Sequence, residues 1–312
     1  MKLFIIFFVF SMIAFPQATT VPSYYSIDAK LTFAISTIFT ELDLKNAFDT
    51  GEDGMVFPSI ALIDLTTIPP RFAGIHAERF IYPASIYKMY VAAEVLHQVS
   101  QGKYPLTHTV IVQPPNTVDR MKEIVSDPRP LLRDGDTVNV NYLLELMITR
   151  SDNSAANCLI DLARRENINL MMQKYSWRGS EVTRKYLSRT LEDSGYATVK
   201  STETSALHAA DFLYRIYTRR LFNPWVSMQM MTLLGRQLDK TKLAAGLPEN
   251  TMMYHKTGWY ASWTHDVGIV DDGSIQYIIA CLLPLPEETA LPKMKELSKQ
   301  IYQIFQQEQH QR

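Results

Sequence analysis

Leu31, Ile35, Ile38 and Leu42 recur one helical turn apart, and this stripe predicts an amphipathic helix over residues 26–46. Gly51-Glu52-Asp53-Gly54 then turns the chain, and the apolar run from Met55 to Leu65 predicts a strand. A second short strand, Arg79-Phe80-Ile81-Tyr82, would pair with it across the loop that holds Pro69-Pro70. From Ser85 to about Gln98 the pattern turns helical, with Met89, Val91, Ala92 and Val95 on the apolar side. Pro114, Pro115, Pro128 and Pro130 punctuate a polar stretch, after which Tyr142–Ile148 is helical again. Strand signals return at 251–257, 266–270 and 275–282, the last two joined by Asp271-Asp272-Gly273-Ser274, a hairpin turn in which Gly273 supplies the positive φ. Met294, Leu297, Ile301 and Ile304 close the chain with another amphipathic helix.

Strands near both ends and helices between them predict an α+β fold, an α/β sandwich with an antiparallel sheet of about five strands flanked by helices and an inserted all-helical lobe. Residues 24–82 and 225–312 would form the α/β lobe, and 83–224 the helical one.

The N-terminus adds an address. Met1-Lys2, the apolar run Leu3–Phe15 and the polar exit after it have the form of a secretory signal over residues 1–19, too short to span a bilayer. An exported protein is expected, periplasmic or secreted, with no stable membrane anchor after cleavage. Charge then excludes a partner class: 31 Lys plus Arg balance 32 Asp plus Glu, so no basic field exists to hold nucleic acid. Cys158 and Cys281 both sit among apolar neighbours, which favours buried free thiols over a bridge. Seven scattered His and two distant Cys give no metal-ligand spacing, and no cofactor is expected.

Three short motifs carry chemistry. Ser85-Ile86-Tyr87-Lys88 places a hydroxyl and an amine one helical turn apart, where the lysine can take the serine proton. Ser151-Asp152-Asn153 sets a hydroxyl and an amide on one side of a turn, one to pass a proton and one to hold a substrate amide. Lys256-Thr257-Gly258 offers a cation and a hydroxyl to a carboxylate, and its glycine lets a ligand approach the backbone ahead of Trp259. Taken singly, the first two read better as helix caps and the third as a solvated edge strand. Together and in this order they are far more specific.

In that order the motifs resemble those of the class A serine β-lactamases and their penicillin-binding relatives. The likeness runs from about residue 25 to 305, and includes Ala77-Glu78-Arg79-Phe80, Leu132-Arg133-Asp134-Gly135-Asp136-Thr137 and Ala245-Gly246-Leu247-Pro248. It implies that Ser85 attacks a β-lactam or a D-Ala-D-Ala-type amide and forms an acyl-enzyme with Lys88 as base or its helper. Ser151 would relay a proton, Asn153 bind the acyl-side amide, and Lys256 and Thr257 hold a carboxylate, with the N–H groups of Ser85 and Trp259 as oxyanion hole. β-Lactam hydrolysis leads. A D-alanyl-D-alanine peptidase and a penicillin-binding sensor that acylates without turnover stand as alternatives.

Two departures from the family pattern matter. The loop acid that activates the deacylating water should fall near Leu187, where Thr183–Arg189 has none; Glu192 is the candidate from a rebuilt loop. No Arg lies between Trp259 and Gln311 to supplement the carboxylate site. His255, one residue before Lys256, points to the opposite strand face, where a structural or solvent role is expected rather than tuning of that lysine's charge.

Overall fold

A computed structural model describes residues 20–51, 53–188, 191–192 and 201–310. The expected secretory signal lies outside them. The N-terminal part contains β1 (Ser26–Ile27), α1 (Ala29–Glu41), β2 (Phe48–Asp49), β3 (Met55–Val56), β4 (Ser59–Asp64), β5 (Arg71–Ile75) and β6 (Phe80–Ile81). The middle part contains α2 (Lys88–Ser100), β7 (Thr109–Ile111), β8 (Thr137–Asn139), α3 (Val140–Thr149), α4 (Asn153–Ala163), α5 (Arg165–Lys174), β9 (Thr204–Ser205), α6 (Ala206–Tyr217) and α7 (Pro224–Leu234). The chain ends with β10 (Met252–Tyr260), β11 (Trp263–Asp271), β12 (Gln276–Leu283) and α8 (Glu287–His310).

The main sheet runs β1-β5-β4-β12-β11-β10, so strands from both chain ends interleave as expected. Its five long strands are antiparallel, and two-residue β1 adds a sixth, parallel to β5. The predicted strand over 55–65 breaks at Pro58, which has no N–H for the ladder. Its first part, β3, pairs with β2, and its second, β4, pairs with β5 rather than with β6. β6 instead pairs with β9, far along the chain. The first helix is shorter than the stripe suggested, starting where Asp28 accepts the Leu31 N–H as N-cap.

Strand alternation explains how the sheet is buried on both faces. Ile60, Leu62, Ile279, Cys281 and Leu283 pack with α1 and α8 in one apolar cluster. Ala61, Ile63, Ile278, Ala280 and Leu282 point the other way, into a larger cluster with the middle helices. Each of the buried Ile and Leu side chains contributes roughly 1.5–3 kcal/mol, and the alanines less. Within the middle segment α6 lies directly on the sheet, against β4, β11 and β12. Cys158 and Cys281 are buried and free. No helix among the described residues is long and apolar enough to cross a membrane.

Candidate active site

The three motifs converge. Ser85 lies in a 3-10 turn, Ala84–Tyr87, that runs into α2, and no side chain there caps the helix, so the serine is not an N-cap. Ala84 is held at φ 45°, a left-handed conformation that costs on the order of 1–3 kcal/mol in a residue with a Cβ. Ser151 is also left-handed, at φ 62°. Both strained residues belong to the site, where the surrounding bonds over-determine them.

Around Ser151 those bonds are visible. The buried Arg150 guanidinium donates to the carbonyls of Arg129 and Pro130 and pairs with Asp152 at 2.7 Å. Asp152 caps α4 by accepting the Ala155 N–H at 2.8 Å, so the helix-cap role holds for this motif alongside its place in the site. Asp119 accepts from the backbone N–H groups of Asn153 and Ser154, each at 2.8 Å, and from Asn153 Nδ2 at 2.9 Å. The Asn153 amide is thereby turned so that its Oδ1 accepts from Lys88 Nζ, also at 2.8 Å.

Two ammonium groups meet at one hydroxyl. Lys88 Nζ donates to Ser151 Oγ at 3.2 Å and to the Ser151 carbonyl, and Lys256 Nζ donates to the same Oγ at 3.0 Å. Burial pulls Lys88 down to about 8, although Glu123, Asp119 and Asp152 oppose the shift. Lys256 falls to about 7, first through burial and then through the Lys88 charge. Near neutral pH such a pair can hold one neutral amine, a base for a serine proton, beside one cation, an anchor for a carboxylate. Thr257 Oγ1 is buried and has no hydrogen-bond partner among the described residues, so it is available to the same carboxylate.

Lys256, Thr257 and Gly258 lie on β10, the edge strand of the sheet. A Cβ at Gly258 would stand 2.9 Å from the Ser85 nitrogen and 3.1 Å from the Pro83 carbonyl, so only glycine lets this strand close on the turn that holds Ser85. Ser85, Ser151, Asn153 and Trp259 line a cleft of about 650 Å³, a size suited to a small organic substrate. His255 turns away from it, into a buried pair with Asp266 at 2.9 Å.

On the other side of Ser85 the chemistry changes. Asn157, one turn beyond Asn153 on α4, grips the backbone of Tyr186 at both ends: Oδ1 accepts its N–H at 2.7 Å, and Nδ2 donates to its carbonyl at 3.3 Å. The Tyr186 ring stacks on Tyr87 at 4.8 Å, and Lys88 Nζ lies 4.3 Å from its centroid. Burial pushes the Tyr186 phenol well above its ordinary range, Tyr87 and Tyr82 add to the rise, and the Ser85 hydroxyl opposes it. Glu192 is not among the residues that line the cleft. Its carboxylate is buried, paired with Arg165 at 3.1 Å and accepting the Lys185 N–H at 2.8 Å.

Sequence reasoning named the motif residues and missed Asp119, Asn157, Tyr186 and Glu123. Only Asn157 carried a local signal, its i+4 spacing from Asn153.

A family model described as "Beta-lactamase enzyme family" matches residues 43–305. Extended-spectrum beta-lactamase PER-1 of Pseudomonas aeruginosa is 27% identical over 206 residues, covering 60% of this chain and 61% of PER-1, so the chain spans about 61% of the length of that relative. Among solved structures, PBP-A superposes with a TM-score of 0.75 at 18% identity, over 92% of this chain and 100% of that one. A point mutant of PBP-A, in an acyl-enzyme complex with penicillin G, gives a TM-score of 0.74 at 18% identity, over 89% of this chain and 97% of that one. At these identities the superpositions show the fold.

Proposed function

The chain belongs to the β-lactamase enzyme family, and from that premise we propose that it is a serine hydrolase which opens β-lactams through an acyl-enzyme on Ser85. The observation that carries this reading is the convergence of Lys88 and Lys256 on Ser151 Oγ beside Ser85. A substrate carboxylate held at Lys256 fixes the charge of the pair there, so Lys88 is left as the neutral amine and takes the Ser85 proton as the hydroxyl attacks the lactam carbonyl. The Ser85 and Trp259 N–H groups hold the oxyanion, each worth about 3 kcal/mol in comparable sites. Ser151 returns a proton to the leaving nitrogen, Asn153 binds the acyl-side amide, and Lys256 with Thr257 holds the carboxylate.

Release is the slow half. Deacylation needs a water held and deprotonated beside the acyl carbon, and the residue gripped there is Tyr186, whose raised phenol is protonated at neutral pH. Glu192, the carboxylate expected from sequence for this task, is committed to Arg165 and the Lys185 N–H. The lysine pair is left to serve both steps.

A fluorescent penicillin should label the wild type at Ser85 and fail to label Ser85→Ala. Undiminished labelling of the variant would refute the assignment. We also propose export, supported by the apolar run Leu3–Phe15 after Lys2. N-terminal sequencing of protein from the outer compartment should show residues 1–19 removed, whereas an intact Met1 would refute cleavage.

A further inference from the structure

Five carboxylates line the catalytic cleft: Asp119, Glu123, Asp152, Asp239 and Glu287. Four are committed to the fold. Asp119 accepts from Asn153 and Ser154, and Asp152 pairs with Arg150. Asp239 and Glu287 both bind Lys242, at 2.6 Å and 2.7 Å. Glu123 differs: its hydrogen-bond partner among the described residues is the neutral indole N–H of Trp259, at 2.7 Å across the cleft. Lys122, its neighbour in sequence, donates to the Asp127 carbonyl instead. Glu123 is close enough to the reaction centre to act on the charge of both Lys88 and Lys256. Trp259, 45% exposed, sets an accessible indole beside this carboxylate, which has no direct ion-pair contact among the described residues. A carboxylate next to an accessible aromatic ring is a recognition element for an organic cation, by ion pairing and by attraction to the ring.

We propose that Glu123, with Trp259, selects β-lactams whose acyl substituent carries a protonated primary amine. This rests on the acylation of Ser85 proposed above, and names the substrate class that site prefers. The amine displaces the indole N–H from Glu123, or shares the carboxylate with it.

Benzylpenicillin and its α-amino derivative ampicillin differ by that amine alone, so the ratio of their acylation rates isolates it. The wild type should favour ampicillin by about fivefold at low salt, and about 0.5 M salt should shrink the preference by screening an exposed pair. Glu123→Gln should bring the ratio close to one. Removing this charge also alters the two lysines, but that effect falls on both substrates and cancels in the ratio. A ratio unchanged in Glu123→Gln, or a wild type without preference for the amine, overturns the proposal while Ser85 labelling leaves the serine reading intact. No adduct on Ser85 with either penicillin overturns both.

Discussion

The two sides of Ser85 are built from different materials. Toward α4 and β10 the cleft that Ser85 lines is bordered by Ser151 and Asn153, which Lys88 and Lys256 join in one network of ionisable and hydrogen-bonding groups. Toward the 183–192 segment it meets Tyr186 stacked on Tyr87, with the carboxylate of Glu192 turned into an ion pair. On the proposed reading the first side offers what attack on a carbonyl needs: an amine able to give up its proton, a relay hydroxyl and a cation to anchor a carboxylate. The second supplies an aromatic surface where hydrolysis of the ester would need a basic group and a held water. One fold can therefore be equipped for the first half of a two-step reaction and underequipped for the second.

The first side breaks most completely at its backbone. Gly258→Ala would push a methyl group against the Ser85 nitrogen. Acylation should fall about 10²- to 10³-fold, the cost of an oxyanion-hole donor, together with a lower Tm, because the methyl meets backbone atoms that must shift at a cost of about 1–3 kcal/mol. Stopped-flow labelling and thermal melts measure both, and an unchanged rate would remove the oxyanion hole from this place.

The second side should be repairable. Asn157 grips the backbone of position 186, so Tyr186→Glu keeps that grip and presents a carboxylate toward Ser85. Release of a penicilloyl group should accelerate by roughly 10²-fold, the low end for an added general base. Equal release in variant and wild type would mean that the aromatic surface is not what slows the second step.

Glu192→Gln sharpens the same contrast with a smaller effect. Loss of the buried charge facing Arg165 should cost about 1–3 kcal/mol of stability, seen as a lower urea midpoint. The acyl-enzyme lifetime should stay as in the wild type. A longer lifetime with unchanged stability would return Glu192 to the chemistry.

The smallest effect is on pH dependence. A protonated lysine cannot accept the serine proton, so acylation should rise with pH as the pair loses one proton, between about 7 and 8. Glu123 raises both lysines, so Glu123→Gln should move that limb to lower pH by a fraction of a unit. Movement to higher pH would show that the limb reports another group.

The same contrast marks what could be read from sequence. Ser85, Lys88, Ser151, Asn153, Lys256 and Thr257 stand within three short motifs, so residue type and spacing reveal them together. The long strands at 252–283 were equally legible, because a sheet buried on both faces requires nearly continuous apolar runs. Asp119 was not, since a loop carboxylate among prolines shows nothing of the helix terminus it satisfies 34 residues later. Tyr186 is hidden differently: family spacing leads to its neighbour Leu187 and calls for an acid there, whereas the gripped residue is a phenol. β5 escaped because Arg71 and Gly74 weaken its pattern, although Gly74 fits where a Cβ would stand 2.8 Å from that of Ala77.

Intact-protein mass spectrometry, over seconds to hours after mixing with benzylpenicillin, tests the difference between the two sides most directly. The expected result is rapid, stoichiometric gain of one penicilloyl mass, carried by the peptide that contains Ser85, and its slow loss as the product is released. Sustained fast hydrolysis with no accumulated adduct would contradict it, because the aromatic side of Ser85 would then be activating water as efficiently as the other side drives attack.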